Sequence, residues 1–83
     1  MNPLYLPIDP DFFDMFETEI KKGSIRVVYF GKGTNLEEVN GKAVGVIESN
    51  DNEHFIKYLT GEEVRVDRII VYNGKPGPAF DEY

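Results

Sequence analysis

A single amphipathic stretch, Asp9-Pro10-Asp11-Phe12-Phe13-Asp14-Met15-Phe16-Glu17-Thr18-Glu19-Ile20-Lys21-Lys22-Gly23, limits what this chain can become. Asp9 suits an N-cap, since its carboxylate can accept from the free amides of a first helical turn. Pro10 then falls at the first helical position, where a missing N–H costs nothing and a fixed φ helps. Lys21 and Lys22 sit where the helix dipole favours cations, and Gly23 suits the residue that stops the helix. Within residues 9–22, Phe12, Phe13, Phe16 and Ile20 are spaced as one apolar stripe. Asp11, Asp14 and Thr18 lie opposite it, Met15 lies off it, and Glu17 and Glu19 fall at its margins. The helix therefore has one face for a core and one face of carboxylates. No other segment carries this period, so the rest of the chain must supply the surface on which the stripe lies.

That surface is β-structure. Ser24-Ile25-Arg26-Val27-Val28-Tyr29-Phe30 is rich in β-branched and aromatic residues and reads as a first strand. Leu36–Val39 and Lys42–Glu48 read as a second and third, joined through Asn40-Gly41, a pair suited to the positive φ of a two-residue hairpin turn. Gly45 within a strand predicts a bend or bulge. His54–Leu59 is a fourth strand, and Glu62–Asp67 a fifth that runs into Arg68–Tyr72. Residues 1–8 are expected as an extended lead-in, because Pro3 and Pro7 disfavour helix in the residues before them. Residues 75–83, opening with Lys75-Pro76-Gly77-Pro78, are expected as a flexible tail. The expectation is a single domain, mainly β with one N-terminal helix. A small antiparallel barrel of five to six strands over residues 24–72, capped by the helix, would remove exposed edges and cover strands that are apolar on both faces.

At 83 residues and 41% hydrophobic content the chain can bury one core and is too apolar for disorder. It contains no cysteine, so disulfides and thiolate metal sites are excluded. No apolar run is long enough for a membrane span, and no signal-peptide pattern opens the chain, so no membrane association and a cytoplasmic location are expected. The net charge of −6 is unevenly placed. Residues 9–21 carry five carboxylates and one lysine, whereas residues 22–75 carry eight acids and eight bases. Attraction to a phosphate backbone needs the opposite sign, so a basic partner is favoured over nucleic acid.

Catalytic patterns are lacking. His54 is the sole histidine, and neither Ser24 nor Ser49 sits in a nucleophile elbow. The Asn50/Asp51/Asn52/Glu53 cluster lacks the length and spacing of a calcium loop. Gly31 and Gly33 are too sparse, and too far from a helix start, to cradle phosphate. Carboxylates on an exposed helix face lack the burial that moves a pKa toward acid–base use. A non-enzymatic protein without metal or cofactor is expected, with Asp9, Asp11, Asp14 and Glu17 as its partner-binding residues.

The opening Tyr5-Leu6-Pro7-Ile8-Asp9-Pro10-Asp11-Phe12-Phe13-Asp14-Met15-Phe16-Glu17 resembles the signature of the Rho-binding antiterminator (Rof) family. That signature runs Tyr-x-Pro-Ile, a polar residue, Cys, a short acidic and aromatic run, then Asp-x-Leu-Glu. The later Arg65-Val66-Asp67-Arg68-Ile69, following the turn at Gly61, resembles the family's Arg-Leu-Asp-Lys-Ile. The order, spacing and total length also fit. Pro10 replaces the family's cysteine, Phe16 and Val66 replace leucines, and Arg68 replaces a lysine; the first of these excludes thiol chemistry there. The resemblance implies an Sm-like barrel with an N-terminal helix. It also implies inhibition of the transcription terminator Rho through the basic surface where Rho captures single-stranded RNA. Asp14 and Glu17 match the family's acidic helix residues, and a monomer is expected. The alternative is an Sm-like module that binds RNA itself, through Lys57, Arg65 or Arg68 beside Tyr58 and Tyr72.

Overall fold

The computed structural model describes residues 8–33, 35–49 and 53–82. Helix α1 spans Asp11–Lys22. Asp9 Oδ1 accepts the Asp11 amide at 3.0 Å, and Pro10 already has helical dihedrals, φ −56° and ψ −23°. The end signals therefore act as the sequence predicts, within the one or two residues by which helix bounds vary. Gly23, at φ 136°, ends the helix with its amide on the Ile20 carbonyl. Phe16 is fully buried, and Phe12, Phe13 and Ile20 pack half-buried against the same core.

Six strands follow: β1 (Ser24–Phe30), β2 (Leu36–Glu48), β3 (His54–Tyr58), β4 (Glu63–Arg65), β5 (Ile69–Tyr72) and β6 (Lys75–Pro76). They form one antiparallel sheet in the order β4-β3-β2-β1-β5-β6. Strand β2 pairs with β1 through residues 36–42 and with β3 through residues 43–48. A bulge between Ala43 and Gly45 separates the two halves, as Gly45 suggested. The bend lets both halves of the sheet feed one core, in which Ile25, Val27 and Tyr72 meet Ile56, Val64 and Val66 beneath Phe16. Among the described residues no ladder joins β4 to β6, so the sheet is bent but open rather than closed by hydrogen bonds. Strand β4 has three residues and gives way to a 3-10 turn, Val66–Arg68, which intervenes where two strands were expected to run together.

The hairpin expected at Asn40-Gly41 does not form. Both residues lie within β2, opposite Arg26 and Ile25, so the long ladder with β1 outweighs the local turn preference. Gly41 lies beside the Tyr58 ring, where a Cβ would make only an ordinary contact at 3.8 Å; the ring crosses this part of the sheet to donate its hydroxyl to the Ile25 carbonyl at 2.8 Å. The Asn-Gly turn of this chain is Asn73-Gly74, with φ 47° and 80°, joining β5 to β6.

The expected tail also packs. The Gly77 amide donates to Ile70 O at 2.7 Å and the Ala79 amide to Ile69 O at 2.8 Å. Ala79 is buried with Phe30 and Ile70, and Phe80–Glu82 form a final 3-10 turn. The two apolar faces thus have separate covers, α1 over the main core and the C-terminal segment over the Phe30/Ile70 cluster. No helix among the described residues is long and apolar enough to cross a membrane.

Candidate partner-binding face

Helix α1 presents Asp11 and Asp14 to solvent, and Asp9 lies just before it, all three exposed. Asp11 and Asp14 lie in the first turn, where the macrodipole favours negative charge. Asp9 has a structural duty as well, since it caps the Asp11 amide. No salt bridge to any of these three occurs among the described residues. Their charge is thus available to a partner.

Glu17 is different. It is half-buried, and its Oε1 accepts the Val46 amide of β2 at 3.0 Å. This residue pins the helix to the bent strand, satisfying a main-chain donor that would otherwise be left over at the bulge. The expected face therefore keeps three of its four residues on the surface, and Glu17 turns inward.

Glu19, assigned only to the margin of the stripe, organises a buried-edge cluster. Its carboxylate takes Lys75 Nζ at 2.8 Å, Asn73 Nδ2 at 2.9 Å and Lys22 Nζ at 3.3 Å, with its side chain 7% exposed. The Lys75 ammonium, then the Asn73 amide, then Lys22 hold its pKa at about 2 against the opposing effect of burial. The same contact raises the Lys75 pKa. The alternation of polar residues along α1 could not reveal this cluster, because Asn73 and Lys75 come from a hairpin that sequence reasoning treated as a strand end and a tail.

The sign of its pH dependence follows. Folding lowers the Glu19 pKa, so the unfolded chain binds the extra proton. The contacts stabilise the fold above the ordinary carboxyl value of 4.5, and that stabilisation is lost as pH falls from there toward 2. Glu19→Gln should be less stable than wild type at neutral pH and decline less across this window. Urea melts at both ends of the window check it; parallel declines would remove Glu19 as the source.

The residues considered for RNA are otherwise engaged. Tyr58 and Tyr72 are each 1% exposed and cannot offer a stacking face. Lys57 pairs with Glu63 at 3.5 Å, and Arg65 bonds Asp67 at 2.8 and 3.1 Å. Arg68 donates to the Gly31 carbonyl at 2.8 Å. His54 packs on the Phe13 ring, centroids 4.5 Å apart, with Nε2 3.9 Å from Glu48. The calcium-like cluster lies, apart from Glu53, outside the described residues. No group of three or more His, Asp or Glu side chains among the described residues is arranged to hold a metal ion.

An apolar cleft of about 250 Å³ opens on the opposite side of the sheet from α1, lined by Val28, Ile70, Val71 and Phe80. Arg26 stands at its rim and is paired with Glu38. Comparison of the chain with protein-family models, with curated proteins and with solved structures returns no match.

Proposed function

We propose that this protein is a non-enzymatic transcription modulator of the Rho-binding antiterminator type, docking its acidic helix face on the basic RNA-capture surface of Rho. The observation that carries the reading is the pairing state of the helix carboxylates. Asp9, Asp11 and Asp14 stand exposed without a cation partner among the described residues, whereas Glu17 and Glu19 are used within the fold. Unpaired carboxylates in one row can replace phosphates on lysines and arginines, which speeds encounter and sets register. The signature residues at Tyr5–Glu17 and Arg65–Ile69 support the same reading. A helix preceding a bent antiparallel meander, with β5 returning to β1, supports an Sm-like assignment of the fold. Such a partner places the protein in the cytoplasm. Direct RNA binding is the weaker reading, because the tyrosines it needs are buried and its cations are engaged.

Titration of Rho with wild type and with Asp11→Asn/Asp14→Asn tests the proposal. Glu17 is left intact, since replacing it by lysine would remove the acceptor of the Val46 amide and confuse binding with folding. The double variant should bind at least about tenfold more weakly, with the fold kept and melts lowered only slightly by the loss of two first-turn charges, and wild-type binding should compete with RNA and fade as salt rises. Equal affinities would eliminate this face. Failure of wild type to bind at low salt would eliminate Rho as the partner.

A further inference from the structure

Asn73 is the one described non-glycine residue with positive φ, and its side-chain amide is fully used. Oδ1 accepts the Arg26 amide at 2.8 Å, while Nδ2 donates to Glu19 Oε1 at 2.9 Å and to the Ser24 carbonyl at 3.4 Å. The main-chain amide of Asn73 also donates to Arg26 O at 2.8 Å. One carboxamide thereby joins β1, the β5–β6 hairpin and the C-terminal half of α1. Aspartate would keep the acceptor but lose both donors, and it would set a second carboxylate against that of Glu19.

The residue that follows is Gly74, and an asparagine followed by glycine is the pair most open to cyclisation, because no side chain shields the attacking nitrogen. We propose that Asn73-Gly74 is a deamidation site, and that loss of the Asn73 amide unlatches α1 from the β5–β6 hairpin. In the step, the Gly74 nitrogen bonds to Asn73 Cγ and gives up its proton as the Cγ–NH2 bond breaks, releasing ammonia and leaving a succinimide. Water then opens either carbonyl of the ring to give aspartate or isoaspartate. Aspartate brings the repulsion described, and isoaspartate adds a methylene to the main chain of the two-residue turn that sets the Tyr72–Lys75 pairing.

Position in the fold selects this site over the chain's other Asn-Gly pair. Asn40-Gly41 lies inside the β1–β2 ladder, so the main-chain excursion that cyclisation needs would break the sheet. Asn73-Gly74 precedes β6, a two-residue edge strand, and local opening of such an edge takes far less than global unfolding. The hydrogen bonds of Asn73 hold its side chain until the edge opens. After conversion the two donated by Nδ2, to Glu19 and to the Ser24 carbonyl, cannot re-form.

The test ages the purified full chain at mildly alkaline pH in warm buffer. Conversion is mapped by peptide mass spectrometry, and amide hydrogen exchange is read on the same samples. Asn73 should convert before Asn40. The converted fraction should show roughly tenfold or faster exchange in the amides of residues 17–22, the scale of losing a charge-assisted hydrogen bond, with the β1–β2 ladder still protected. Asn73→Asp should reproduce that pattern. Should it fail to fold, Asn73→Asp combined with Glu19→Gln should recover folding, since a glutamine can donate to the new carboxylate. Earlier conversion at Asn40, an intact Asn73 after ageing, or wild-type exchange over residues 17–22 in the converted protein would overturn the proposal. So would a double variant as damaged as the single one.

Discussion

Phe16→Ala should cost about 3–5 kcal/mol, the range for deleting a fully buried aromatic side chain. A domain of this length has a total stability of about 4–12 kcal/mol, so the variant should sit at or near unfolding at room temperature. The size follows from where the ring lies. Phe16 is 0% exposed, stacks on Phe12 with centroids 5.9 Å apart, and meets Tyr72 edge-on at 4.8 Å. Edge-on and offset ring pairs add to the area they bury. Phe16 also joins α1 to β5, residues far apart in the chain, so the cavity would open at the seam where helix and sheet halves meet. Urea melts followed by circular dichroism measure the effect. Phe12→Ala, truncating a half-buried ring of the same stripe, should cost clearly less. A near-silent Phe16→Ala would mean that the helix is not the cover of the main core.

The helix was legible from residues alone because its signals agree with one another. Asp9, Pro10, the Phe12/Phe13/Phe16/Ile20 stripe, Lys21, Lys22 and Gly23 all specify the same boundaries, and no tertiary contact opposes them. Strand β1 was legible for the same reason, from Ser24 to Phe30. Local signals mislead where they meet a long-range one. Asn40-Gly41 and Asn73-Gly74 are identical dipeptides, and local chemistry assigns a turn to both. What separates them is the partner strand: β1 offers a seven-residue ladder to residues 36–42, whereas past Tyr72 only the Asn73–Arg26 hydrogen bond remains before the chain turns back as β6. Pairing of that kind is a property of the whole sheet and leaves no mark on the dipeptide.

The candidate site divides along the same line. Exposure of Asp11 and Asp14 follows from the helical period, since both lie opposite the stripe. The inward turn of Glu17 and Glu19 does not, because margin positions of a stripe can face either way. Their direction is decided by what waits across the interface. For Glu17 that is the Val46 amide beside a bulge, and for Glu19 it is a cation and an amide delivered by the β5–β6 hairpin. Lys75-Pro76-Gly77-Pro78 reads as a loose tail by composition, since two prolines cannot donate to a ladder. In the fold those prolines flank the Gly77 amide, which with the Ala79 amide ties the segment to β5.

Gly77→Ala should lower stability by about 1–3 kcal/mol, the cost of forcing extra volume into a packed site. Gly77 is buried, and a Cβ there would lie 2.6 Å from the Ile69 carbonyl oxygen and 2.8 Å from Ile69 Cγ2. Either the segment or Ile69 must move. Ile69 is fully buried in the main core and its carbonyl accepts the Ala79 amide, so it has little freedom. The segment can retreat only by stretching the Gly77–Ile70 and Ala79–Ile69 hydrogen bonds. That retreat would lift Ala79 from Phe30 and Ile70 and wet the second core cluster. The expected signature is thus a lowered melt together with lost exchange protection at the amides of residues 77 and 79, while helix amides keep theirs. Phe80→Ala gives the contrast: that ring is 48% exposed, so its removal should be nearly silent. Wild-type stability and protection in Gly77→Ala would show that the C-terminal segment does not hold its cover over the sheet, and the outer cluster would then need another one.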